Sequence, residues 1–179
     1  MRAWHFIRQF FRHPRQIGTV TQSSRSLAVK IAEEIGPSKE VVEFGAGTGP
    51  VTQEILRRLP ADGRLTCFEI NPEFCRHLQQ IGDARLRVIN DDAKNCQQYV
   101  ERADCVVSGL PLALFGRREK QRILDITSKS PTFVQLQYTP VLGRTIKRHF
   151  PSVKRKFVAR NLPPAFVYVG RHVEQTTTS

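Results

Sequence analysis

The sequence predicts a one-domain α/β protein: a seven-stranded, mostly parallel sheet with an antiparallel last strand, preceded by two N-terminal helices. Three observations predict it. Short apolar runs alternate with stretches of helical period, the pattern of β-α-β units. The run Val41-Val42-Glu43-Phe44 enters a turn, Gly45-Ala46-Gly47-Thr48-Gly49, before the next helical stretch. The last two apolar runs are joined by Leu162-Pro163-Pro164-Ala165, too short for a helix, which makes them antiparallel neighbours. A chain of 179 residues suits one ordinary domain.

Taken in order, the chain opens with two helices, near residues 2–12 and 24–35, the second capped by Ser23 or Ser24. Strands follow near 40–44, 64–69, 86–90, 103–109, 132–138, 153–159 and 165–172, each an apolar run bounded by turn residues. Helices fall between them near 49–59, 72–81, 94–101, 116–129 and 141–149. The expected division is an amphipathic helix and entrance loop over 1–22, the main domain over 23–175 and a disordered tail over 176–179.

With 40% hydrophobic and 25% charged residues and a mean hydropathy of −0.35, the composition is that of a water-soluble protein. No run reaches the roughly 18 apolar residues of a membrane span, and Arg2, His5 and Arg8 interrupt any signal-peptide core. Cys67, Cys75, Cys96 and Cys105 show neither disulfide nor zinc spacing, so a reducing cytoplasm, no metal and a monomer are expected. The net charge of +12 is unevenly placed: residues 1–30 and 141–179 together carry +13, and the stretch between them carries −1. Basic flanks on a near-neutral middle point to an anionic partner, either nucleic acid or an acidic membrane surface. Solubility alone is the plain alternative.

The glycine-rich turn lets the backbone approach a ligand at a helix N-terminus. Glu69, with Ile70 after it, ends the second strand twenty residues beyond Gly49, where a carboxylate can accept from both hydroxyls of a ribose. Asp91-Asp92-Ala93 ends the third strand, where a carboxylate can accept from an adenine amino group. With Pro50 after Gly49, the turn departs from the G-x-G-x-x-G of nicotinamide enzymes.

The chain here resembles class I S-adenosylmethionine-dependent methyltransferases, whose E-x-G-x-G-x-G matches Glu43, Gly45, Gly47 and Gly49. The resemblance implies a Rossmann-like fold, S-adenosylmethionine as cofactor, and cofactor contacts from Glu43, Gly45, Ala46, Gly47, Gly49, Glu69, Ile70, Asp91, Asp92 and Ala93.

The acceptor site is expected after the fourth strand, at Ser108-Gly109-Leu110-Pro111-Leu112. The chain resembles the ribosomal RNA adenine dimethylases in its glycine loop and Asp92-Ala93. Those enzymes, however, carry Asn, Ile or Leu, Pro, then Tyr or Phe at the acceptor segment. Gly109 and Leu112 replace the Asn and the aromatic that bond and stack a flipped base. The chain is also similar to bacterial phospholipid N-methyltransferases, through Ser108 to Pro111, Phe6-Ile7-Arg8, Pro14 to Gly18, Ser23 to Arg25, Gln137-Tyr138 and Asn161 to Ala165. Gln22 stands where that family commonly has proline; in the dimethylases a glutamine there touches the cofactor.

Methyl transfer to the amine of a phospholipid headgroup, such as phosphatidylethanolamine, is the implied reaction, with RNA adenine as the alternative acceptor. Orientation of the amine is expected from the carbonyls of Gly109 and Leu110 and the hydroxyls of Ser108 and Tyr138, and lipid phosphate contacts from Arg25, Arg144, Lys147, Arg148 and Arg160. Residues 2–12 place Ala3, Trp4, Phe6, Ile7, Phe10 and Phe11 on one helical face and Arg2, His5, Arg8, Gln9 and Arg12 on the other. A helix of this kind lies in the headgroup region of an anionic bilayer, giving a peripheral protein on the inner face of the membrane; packing onto its own domain is the other reading.

Overall fold

The computed structural model describes residues 20–159 and 164–172, with side chains from Arg25 onward. The expectations for residues 2–12, Gln22, Arg160, Asn161 to Pro163 and the tail fall on residues or side chains outside those described. The elements are α1 (Val20–Ala32), β1 (Glu40–Phe44), α2 (Pro50–Arg58), β2 (Arg64–Phe68), α3 (Pro72–Gln79), β3 (Leu86–Ile89), β4 (Cys105–Ser108), α4 (Arg117–Thr127), β5 (Thr132–Gln137), α5 (Gly143–Ile146), β6 (Ser152–Val158) and β7 (Ala165–Arg171).

All seven strands fall where the apolar runs predict them, in the order β3-β2-β1-β4-β5-β7-β6. Strands β1 to β5 pair in parallel, and β7 inserts antiparallel between β5 and β6. Period-2 alternation sends successive side chains to opposite faces. Val41, Leu65, Val107 and Val134 pack with Leu27 and Ile31 of α1 and Ile55 of α2. Val42, Phe44, Val106 and Phe133 pack on the other face with Ile123 and Leu124 of α4 and Ile146 of α5. Helices thus cover both faces, and the carboxyl ends of the parallel strands share one edge.

Three helices differ from expectation. Helix α1 runs through Ser23 and Ser24 from Val20, so neither serine is its N-cap; it tightens to a 3-10 turn at Glu33–Ile35 and stops at Gly36, where φ is 60°. Residues Ala93–Gln98 form a 3-10 turn rather than an α-helix. Asp92 accepts from the Lys94 N–H and Asn95 bonds to Asp91, local side-chain bonds that compete with a helical ladder. Near 141–149 only the turn Pro140–Leu142 and the four-residue α5 form, split at Gly143, a poor helix former.

Candidate cofactor and acceptor site

Beyond β1 the backbone turns at Gly45, Gly47 and Gly49, with φ of 72°, 57° and 84°, a region that disfavours side-chain-bearing residues. The Gly45 N–H donates to the Phe68 carbonyl at 2.8 Å, tying the turn to the end of β2. A Cβ on Gly49 would stand 2.8 Å from Leu78 Cδ2, so the third glycine lets α3 pack against the start of α2. Gly49 is also the N-cap residue of α2, with Pro50 in its first turn.

Glu69 lies against this loop, buried. Its Oε2 accepts from the Gly47 N–H at 2.9 Å and its Oε1 from the Asn71 N–H at 2.9 Å. Asn90 Nδ2 donates to the Glu69 carbonyl at 2.9 Å and so fixes the backbone behind it. A carboxylate offers about four acceptor positions, so each oxygen keeps one for a ribose hydroxyl. These acceptors and the three glycines of the loop fit S-adenosylmethionine. Ile70 follows as an exposed side chain on the rim.

Glu43 is built into the interior instead. Its Oε2 accepts from Thr52 Oγ1 at 2.7 Å and from the Cys67 thiol at 3.2 Å, joining β1, α2 and β2 behind the glycine loop. Burial pushes its pKa up to about 7, against the lowering effect of the Thr52 bond. Asp91 accepts from Tyr99 Oη at 2.8 Å, Asn95 Nδ2 at 3.0 Å and the Asp92 N–H at 2.7 Å; these bonds, Tyr99's first, hold its pKa below the usual carboxylate range. Asp92 caps the following turn and pairs with Lys94 at 3.0 Å, and Ala93 is buried. Both aspartates therefore have their described bonds within the strand-end turn.

The acceptor segment packs directly on the cofactor loop. The Gly109 N–H donates to the Phe44 carbonyl at 2.9 Å, and a Cβ at Gly109 would stand 3.0 Å from the Gly45 carbonyl. Ser108 is buried, its hydroxyl accepting from the Leu110 N–H at 3.3 Å. Gln135 and Gln137 of β5 each donate an Nε2–H to the Leu110 carbonyl at 2.9 Å. The Leu112 N–H donates to the same carbonyl at 2.8 Å, so it fastens the loop through three donors. Gln135 also bonds the Ser108 carbonyl at 3.1 Å. These two glutamines escaped the sequence reading, although their period-2 spacing with Phe133 in T-F-V-Q-L-Q marks two amides on a buried face. Leu112 is wholly buried, 0% exposed, in the α4-side core.

Tyr138 follows β5 and is 41% exposed; burial of its hydroxyl raises its pKa above that of a free phenol, so it stays protonated at neutral pH. Arg25 lies 3.7 Å from Glu54, on the α2 side. Arg144 and Arg148, with Lys147, are exposed on and after α5, beyond the end of β5. The arginines expected to act together are thus divided between opposite faces of the sheet. Among the described residues, no cluster of three His, Cys, Asp or Glu side chains could hold a metal ion, and no helix is long and apolar enough to cross a membrane.

Residues 41–129 match the model of the methyltransferase-domain family. Ornithine lipid N-methyltransferase of Singulisphaera acidiphila is 36% identical over 96% of both chains. Ribosomal RNA small subunit methyltransferase A of Mesomycoplasma hyopneumoniae is 28% identical over 54% of this chain and 37% of that one. Among solved structures, magnesium protoporphyrin IX methyltransferase from Synechocystis, with bound S-adenosylmethionine, superposes with a TM-score of 0.73 over 97% of this chain and 98% of that one, at 10% identity, a likeness of fold.

Proposed function

We propose that this chain, which belongs to the S-adenosylmethionine-dependent N-methyltransferases and takes S-adenosylmethionine as its cofactor, methylates the amine of a membrane-lipid headgroup. The observation that carries this reading is the make-up of the acceptor segment. Gly109 has only 3.0 Å between an added Cβ and the Gly45 carbonyl, and Leu112 is sealed in the core. Positions 109 and 112 therefore carry neither the amide side chain nor the aromatic face that would bond and stack a flipped adenine. The relative named for ornithine lipid, similar over nearly its whole length, supports a lipid acceptor and puts an ornithine-bearing headgroup ahead of phosphatidylethanolamine. The ribosomal RNA relative matches over a shorter span.

S-adenosylmethionine, when bound, presents a methyl group on a sulfonium centre. In this reading Glu69 orients the ribose, and the contact between the Gly45 and Gly109 turns sets the acceptor loop against the cofactor loop. Gln135 and Gln137 hold the loop in place through Leu110. Tyr138 and the Gly109 carbonyl face the incoming amine, Tyr138 as a neutral phenol that bonds the nitrogen without titrating. Segment Ser108–Leu112 carries no His or carboxylate, so the ammonium proton leaves to solvent and positioning supplies most of the rate. Arg144, Lys147 and Arg148 attract anionic lipid, and the basic, aromatic-rich stretch 2–12 lies in the inner leaflet's headgroup region.

Mass spectrometry of aminolipid vesicles incubated with enzyme and cofactor tests the proposal. N-methylated lipid is expected; unmodified lipid beside methylated ribosomal RNA would overturn it.

A further inference from the structure

The exposed large apolar side chains of the described residues are Ile70, Tyr99, Leu114, Tyr138, Val141 and Phe157. Surface apolar residues are ordinarily scattered, yet these gather at one end of the molecule. Ile70 follows β2, Tyr99 follows β3 and is bonded to Asp91 at its end, Leu114 follows β4, Tyr138 and Val141 follow β5, and Phe157 is next to the last residue of β6, which runs in the same direction as β5. Two of them are neighbours, and a third lies further along the same edge. The turn Leu112–Leu114 packs beside the turn Pro140–Leu142, which brings Leu114, 50% exposed, near Val141, 64% exposed. The sheet register then sets Gln137, Phe166 and Phe157 side by side along the same edge, with Phe157 57% exposed and its ring 5.2 Å from that of Phe166.

The charge around this group is mainly positive. Residues 126–173 hold nine Lys or Arg and no Asp or Glu. Arg144 is exposed three residues after Val141; Lys147 and Arg148, also exposed, lie further along beside His149, where the chain returns toward the start of β6. Arg155 covers the Phe166 ring at 5.6 Å. The acid placed nearest Leu114 is Glu119, whose carboxylate lies 3.8 Å from where a Gly116 Cβ would stand, with Arg117, Arg118 and Lys120 about it in sequence.

We infer that this carboxyl edge, with Leu114, Val141 and Phe157 as its apolar tips and Arg144 and Arg155 beside them, is the surface by which the folded domain seats on an anionic lipid bilayer. The inference rests on the lipid-amine reading and deepens it: it gives the domain a footing of its own beside the N-terminal stretch. Leu114 and Val141, two of the three tips, are aliphatic: they gain by leaving water for the acyl boundary and cannot stack on a base, which favours a membrane over a nucleic acid. Seated this way, the site opens onto the lipid it draws from.

The test uses the full chain. In a Trp4→Phe background, a single tryptophan is placed at Val141→Trp or, on the opposite edge before β2, at Asp62→Trp. On phosphatidylglycerol vesicles, brominated acyl chains should quench Val141→Trp several-fold more than Asp62→Trp; equal quenching would overturn the inference. A second variant, Leu114→Ser with Val141→Ser and Phe157→Ser, should lose about tenfold of its methyl transfer to aminolipid in vesicles, while transfer to a soluble short-chain aminolipid stays within twofold. Unchanged vesicle turnover, with the soluble substrate still methylated, would refute the docking surface alone. Absence of transfer to either lipid by the wild-type chain would refute the lipid-amine reading and the inference with it. Loss of binding to ribosomal RNA, with vesicle binding intact, would reassign the surface to nucleic acid.

Discussion

The Glu69 carboxylate accepts the Gly47 N–H at 2.9 Å, so the residue proposed to meet the cofactor's ribose also holds the glycine loop in shape. Glu69→Ala should weaken S-adenosylmethionine binding by about 1–3 kcal/mol, the range for losing a hydrogen bond to a charged group, and by more if the loop relaxes. Glu69→Gln, which keeps one amide oxygen, should fall between the two. Titration calorimetry gives the order; wild-type affinity in a folded Glu69→Ala protein would remove Glu69 from the site.

Gly45 couples the two loops. At φ 72°, with an added Cβ 3.1 Å from Leu110 Cδ2, Gly45→Ala meets both a backbone penalty of about 1–2 kcal/mol and a push on the acceptor segment. The variant should therefore raise the KM for acceptor as well as the Kd for cofactor. A change in cofactor affinity alone would mean that the two loops do not communicate.

Glu43 should make stability depend on pH. Its pKa rises from 4.5 to about 7 on folding, so between those values the native state binds more protons than the unfolded chain. Stability then falls as pH rises through that window, by about 3 kcal/mol in all, and stays lower above it. Denaturant melts of Glu43→Gln between pH 5 and 8 should show a flatter profile than wild type; parallel profiles would contradict the raised pKa.

Gln137 and Tyr138 are proposed to act on the acceptor side. Gln137→Leu removes a donor from the Leu110 carbonyl and an acceptor from the Ala113 N–H, so it should lower kcat more than tenfold with cofactor affinity intact. Tyr138→Phe should likewise lower turnover more than cofactor binding. Stopped transfer with intact calorimetry supports these roles, and unchanged kcat in both variants refutes them.

The sheet is legible in the sequence because each strand is a separate apolar run: Val41-Val42, Leu65 to Phe68 and Val106-Val107 announce both their position and, by period 2, their faces. Helices were less legible where local bonds compete with the ladder, as at Asp91, Asp92 and Asn95, or where Pro140 and Gly143 divide a stretch. Glu69 could be found because a lone carboxylate ends an apolar strand. The inward direction of Glu43 follows from strand phase, since Val41 shares its α2-side face, but its thiol and hydroxyl partners lie on other elements and only the fold brings them together. Gln135 and Gln137 illustrate the same limit: their bond to Leu110 joins residues 25 and 27 positions apart.

The central claim is that the acceptor is a lipid amine. Methyl transfer from labelled S-adenosylmethionine, with ornithine lipid vesicles, phosphatidylethanolamine vesicles and undermethylated small-subunit ribosomal RNA offered to the full chain in parallel, tests it most directly. The account predicts label in the lipid fraction, greatest with ornithine lipid, and none in RNA. Label in RNA with none in either lipid would contradict it.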